Sequence, residues 1–154
     1  MSFTTTIAIC EEKARAGGWV ASGSDATHSS QAVRKGCVAA VKALTGAPET
    51  ARWRRGKKVK GNNISPGTAI ATFPIKENGV FKFKGHAAIL HSSHTGGLII
   101  YDQYYVPSKP FGMRTIQFTC GDYISNDGEA FYVIETIQDT STTDPALCGP
   151  TSYY

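Results

Sequence analysis

The strongest constraint on the fold is a change of texture along the chain. From Gly67 onward five short runs, GTAIATF (67–73), GHAAILH (85–91), GLIIYDQYY (97–105), RTIQF (114–118) and FYVIETI (131–137), are rich in β-branched and aromatic residues and bounded by Gly, Pro, Asn or Ser. Runs of this length and punctuation predict strands. Before them the pattern is helical. Residues 6–16 predict a short helix stopped by Gly17 and Gly18, residues 18–31 read as a loop, and a second helix carries Cys37 and ends at Gly46, with Pro48 preventing its continuation. Helices first and an antiparallel sheet afterwards make an α+β layout.

At 154 residues the chain is one ordinary domain, spanning 1–154, long enough to bury a core without staples. A hydrophobic content of 41% with 16 glycines and 18% charged residues excludes disorder and a coiled coil. No apolar run approaches a membrane span, so membrane insertion is not expected. The N-terminus MSFTTTIAICEEKARAGG brings in charge too early for a secretory signal. The expectation is a protein that stays in the cytoplasm or leaves by a route needing no signal peptide.

The net charge is only +4, but much of it lies in RWRRGKKVK, where Arg52, Arg54, Arg55, Lys57, Lys58 and Lys60 crowd around Trp53. Such a patch attracts a polyanion, nucleic acid or the carboxylates of a cell wall, and is equally a solvated loop. The four cysteines, Cys10, Cys37, Cys120 and Cys148, form no CxxC pair, which argues against structural zinc. If Cys37 stays free, one disulfide at most can form among the rest, with Cys120 and Cys148 the preferred pair.

Cys37 follows Gly36 at the first turn of its helix. There the helix dipole and unpaired amide donors favour a charged, nucleophilic sulfur. The competing reading is a buried structural thiol, since Cys37, Val41 and Leu44 share a helical face. The runs around SSHTGG form a hairpin, in which opposed residues have numbers adding to a constant. A turn centred on His94 sets His86 opposite Asp102; half a residue of slip sets it opposite Gln103. Either would orient one imidazole nitrogen and leave the other to take a proton from a thiol. A metal site built from His86, His91, His94 and Asp102 is disfavoured, because His86 and His91 point to opposite faces of a strand.

The segments GCVAAVKALTGAP, TARWRRGKKVKGN, SPGTAIATF, GHAAIL and IIYDQY, in that order, resemble the NlpC/P60 and CHAP-like cysteine peptidases, and more closely the small amidase effectors that bacteria deliver through type VI secretion. The resemblance covers residues 35–118. It implies a papain-like fold in which a nucleophile helix packs on an antiparallel sheet, with Cys37 as nucleophile, His86 as base and then acid, and Asp102 or Gln103 as third residue. Gln31 has the spacing of an oxyanion glutamine, and Trp53 and Tyr101 are candidates for contact with substrate. The implied substrate is a peptidoglycan peptide, cut at the D-alanyl to diaminopimelate cross-link or at the γ-D-glutamyl to diaminopimelate bond, without a cofactor. The implied partners are the secretion apparatus and a cognate immunity protein, and the implied place of action is the periplasm of a recipient cell. Outside this resemblance, the same residues allow a non-catalytic basic module that binds wall polymer or nucleic acid.

Overall fold

The computed structural model describes residues 2–104, 106–118 and 123–136. Helix α1 (Ile7–Ala16) starts at Thr6, whose hydroxyl accepts from the Ile9 amide at 3.3 Å. It stops at Gly17, whose φ of 76° is a conformation open to glycine. A single-turn helix, α2 (Gly23–Ala26), lies within the stretch expected to be loop, and another, α3 (Gln31–Arg34), starts at its last residue. Helix α4 (Cys37–Thr45) ends at Gly46 in the left-handed conformation. Its buried residues, Ala39, Ala40 and Val41, are small, which lets it lie close against the sheet.

The main sheet has six strands in the order β1-β8-β2-β5-β6-β7, and every neighbouring pair is antiparallel. They are β1 (Trp53–Lys58), β2 (Ala69–Thr72), β5 (Ala87–His94), β6 (Gly97–Asp102), β7 (Gly112–Gln117) and β8 (Phe131–Thr136). Five of these fall on the predicted runs. Alternation along the strands divides the core in two. Ala69, Ala71, Ala87, Ile89 and Tyr101 pack with Cys10 and Val41 of the helices, whereas Ile70, Ala88, Leu90, Leu98 and Ile100 pack with Ile116 and Phe131 on the other side. The resulting helices on an antiparallel sheet are the expected α+β arrangement. No helix among the described residues is long and apolar enough to cross a membrane.

Two strand features were not legible as such. The basic segment is strand β1 at the sheet edge, with Trp53 buried in the core at its first residue and its cations at the rim. Lys58 and Lys60 meet Glu129 at 3.8 and 3.2 Å, and the Arg55 guanidinium lies 3.4 Å from the Phe81 ring centre. Cations on an edge strand discourage pairing with another chain. A separate hairpin joins β3 (Ile75–Glu77) to β4 (Val80–Lys82) through Asn78 and Gly79, both at positive φ (52° and 79°). Asn-Gly is the dipeptide best suited to such a turn. Cys120 and Cys148, and so their suggested pairing, lie outside the described residues.

Candidate active site

Cys37 opens α4 beside a cleft of about 370 Å³ lined also by Gly36, Phe83, His86 and Tyr104. The glycine before it is required by space rather than by dihedral angle. A Cβ on Gly36 would sit 2.5 Å from the Ala32 carbonyl oxygen. The helix start is also held from the sheet: Gln103 Nε2 donates to the Gly36 carbonyl at 2.9 Å. Cys37 is partly exposed and free, so the buried structural thiol of the sequence alternatives is Cys10 instead.

His86 is fixed by a threonine and a glycine. Thr72 Oγ1 accepts from the His86 amide at 3.0 Å and donates to the Lys84 carbonyl at 2.5 Å, while the Thr72 amide donates to the His86 carbonyl at 3.0 Å. Gly85 has φ 109°, and a Cβ there would lie 2.7 Å from both Thr72 Oγ1 and Ile124 Cγ2. Only glycine fits this approach to the histidine. The ring is 3% exposed and edge-on to Phe131. Its Nε2 lies 2.6 Å from Asp102 Oδ2, and the ring shares its cleft with Cys37. Burial is the largest influence on the ring and lowers its pKa. The hydrogen bond to Asp102, with the influence of the neighbouring Cys37 and the Asp102 charge, outweighs burial and pushes the pKa up to about 9. A ring whose charged form is favoured in this way is suited to holding the proton that a neighbouring sulfur gives up.

The register that joins His86 to Asp102 differs from the simple hairpin. Next to the turn, His94 pairs with Gly97 and Ser92 with Ile99, a sum of 191. Beyond a bulge at His91, Leu90 pairs with Ile100 and Ile89 with Tyr101, a sum of 190. The extra residue restores even parity, so His86 shares a face with Asp102 as a diagonal neighbour rather than a directly opposed one. Gln103 points to the other face. Its Oε1 accepts from the Val20 amide at 2.8 Å and its Nε2 donates to the Val20 and Gly36 carbonyls, both at 2.9 Å. It braces the start of α4 and does not orient His86.

Three other expected residues stand elsewhere. Gln31 is exposed at the start of α3 and is not among the described residues lining the cleft. Trp53 is completely buried, its indole N–H donating to the Pro48 carbonyl at 2.8 Å and its ring edge-on to Phe83. Tyr101 is 1% exposed and stacks on Phe111. Neither ring has a surface to offer a substrate. An aromatic that does line the cleft is Tyr104, held at φ 63° and packed edge-on against Trp19, over which the Lys35 ammonium sits at 4.9 Å. Sequence reasoning also missed Arg114 of β7, whose Nε donates to Asp102 Oδ2 at 2.8 Å. A strand arginine facing the same side as an acid on the next strand was the available signal.

A family model described as domesticated amidase effector 2 matches residues 1–134. A protein of that name from Ixodes scapularis is 40% identical over 107 residues, covering 66% of this chain and 72% of its own length. A type VI secretion amidase effector 2 protein from Salmonella typhi is 30% identical over 111 residues, covering 64% of this chain and 84% of its own length. Among solved structures, a type 6 secretion amidase effector 2 superposes with a TM-score of 0.58 at 26% identity, covering 84% of this chain and 96% of its own.

Proposed function

The chain belongs to the domesticated amidase effector 2 family, and from that premise we propose that it hydrolyses an amide bond of a peptidoglycan peptide with Cys37, His86 and Asp102. The observation that carries this reading is the buried ring of His86, held to Asp102 Oδ2 at 2.6 Å and lining the same cleft as Cys37 at the start of α4. Cys37 sulfur attacks the scissile carbonyl, its proton having passed to His86. The tetrahedral oxyanion is held by the Cys37 amide, which the first turn of α4 leaves without an intrahelical partner. Collapse breaks the C–N bond as His86 delivers the proton to the leaving amine, giving a thioester. Water, deprotonated by His86, then attacks the thioester and releases the acid and the free thiol. Asp102 keeps the imidazole turned toward sulfur and stabilises its charged form.

The bond proposed is the D-alanyl to diaminopimelate cross-link, with the γ-D-glutamyl to diaminopimelate bond as the alternative. For a type VI effector the place of action is the periplasm of a recipient bacterium, and its immunity protein would cover the Cys37 cleft. Digestion of purified sacculi followed by mass analysis of the fragments tests activity and bond together. Release of uncross-linked stem peptides by the wild type and not by Cys37→Ala is the expected result; hydrolysis that survives in Cys37→Ala would remove the cysteine mechanism.

A further inference from the structure

Asp102 is 1% exposed at its side chain, and one of its oxygens, Oδ2, receives two cationic donors. His86 Nε2 approaches at 2.6 Å and Arg114 Nε at 2.8 Å. The arginine is itself anchored. Its Nη1 donates to Asn126 Oδ1 at 2.8 Å and its Nη2 to the Ser125 carbonyl at 2.6 Å, both on the short 3-10 turn Ile124–Asn126. The pairing of β6 with β7 sets Arg114 opposite Ile100 and Gly112 opposite Asp102, so Arg114 and Asp102 are diagonal neighbours on one face. A planar guanidinium fastened at its outer nitrogens holds its Nε N–H in a fixed direction, which a lysine cannot reproduce.

We propose that Arg114 is a positioning residue for the hydrolytic reaction: it fixes Asp102 Oδ2 against His86 and shares that oxygen's charge, so that the imidazolium is oriented yet still able to surrender its proton. This rests on the Cys37, His86 and Asp102 reading above. A carboxylate that faced His86 alone would give the whole of its charge to the imidazolium. The His86 proton would then be harder to deliver to the leaving amine. With Arg114 on the same oxygen, the two cations repel each other, and the carboxylate cannot rotate away when His86 changes charge. The titratable and charged groups facing this assembly among the described residues are Cys37 from α4 and Asp102 from β6, with Arg114 from β7 behind the acid. Asp25 of α2 and Tyr104 line the same cleft, and Asp25 is already paired with Lys42 at 3.0 Å.

The test compares Arg114→Met, Arg114→Lys and Asn126→Ala with wild type in steady-state hydrolysis of a soluble cross-linked muropeptide, alongside His86 titration by NMR. Misplacing a catalytic group by about 1 Å can cost about a hundredfold, and a fall in kcat of up to that size is expected for Arg114→Met, with KM little changed. His86 should titrate at higher pH than in wild type, because a neighbouring cation has gone. Arg114→Lys should restore the His86 titration toward wild type but recover only part of kcat, since it supplies charge without the anchored fork. If Arg114→Met does not fold, Asn126→Ala decides: a roughly threefold loss of kcat with His86 shifted the same way supports the proposal. A folded Arg114→Met, or failing that Asn126→Ala, with wild-type kcat or an unmoved His86 titration overturns it. An active Cys37→Ala would instead overturn the reading on which it rests.

Discussion

Cys10 and Cys37 sit on helices that pack into the same core cluster of the sheet, and their surroundings make them opposites. Cys10 lies within α1, its amide already given to the Thr6 carbonyl, and it is fully buried. Burial, with the charge of Glu11 adding to it, pushes its thiol up to about 11. Cys37 begins its helix and faces a cleft that it shares with His86. Two cysteines on helices of one core thus differ in where the helix starts and in what the neighbouring strand presents to each.

The hardest way to break this comparison is to remove each sulfur in turn. Cys37→Ala should lower sacculus hydrolysis by about four orders of magnitude or more. Cys10→Ala should stay within a fewfold of wild type, with only a modest loss of stability. Equal losses from the two changes, measured at matched folded fractions, would show that the contrast is misplaced.

Alkylation sharpens it without a substrate. At pH 7 iodoacetamide should label Cys37 roughly a hundredfold faster than Cys10, as followed by peptide mass analysis. In His86→Ala most of that gap should close. A gap that persists would leave the helix start alone as the source of reactivity.

Gln103→Leu probes the brace rather than the chemistry. It leaves the Val20 amide and the Gly36 carbonyl without their buried partner, which costs about 1–3 kcal/mol and should lower Tm by several degrees in calorimetry. Alkylation of Cys37 in the folded variant should slow, and that of Cys10 should not. If the Cys37 rate is unchanged, Gln103 serves stability only.

The two regions also predict separate pH windows for stability, the smallest effect expected. His86 has its folded pKa raised from 6.5 to about 9, so its contribution is complete below pH 6.5 and is lost as pH rises to about 9. Cys10 is raised from 9.0 to about 11, so its contribution is intact below pH 9.0 and fades toward pH 11. Melting temperatures recorded across pH 6 to 11 should therefore fall in two stages, with His86→Gln removing the first and Cys10→Ala the second. A single stage that survives both changes would deny this partition.

Much of this was legible in the sequence where the signal was local. The end of α4 at Gly46 and five of the six strands of the main sheet follow from punctuation and side-chain type. Trp53 misled because an aromatic among six cations looks like a surface anchor; the indole instead packs into the core at the first residue of β1, while the cations that follow it stay partly or fully exposed. Gln31 misled because spacing along the chain says nothing of the turn at α3 that carries its side chain into solvent. Tyr101, next to Asp102, was drawn toward the site by proximity in sequence, and alternation sends it to the core. The contacts of Thr72 and Arg114 cross between strands 12 to 14 residues apart, so they depend on strand pairing and register rather than on a pattern within one run.

The bulge at His91 has a bearing on how such sites are found. His86 and Asp102 are 16 positions apart in this chain, yet one of those positions is taken up by a residue that adds nothing to the ladder between them. A relative lacking the bulge would keep the same histidine and acid in the same places in space with one residue fewer between them. A search that demands fixed spacing would align its acid with the wrong neighbour and score an intact site as a broken one.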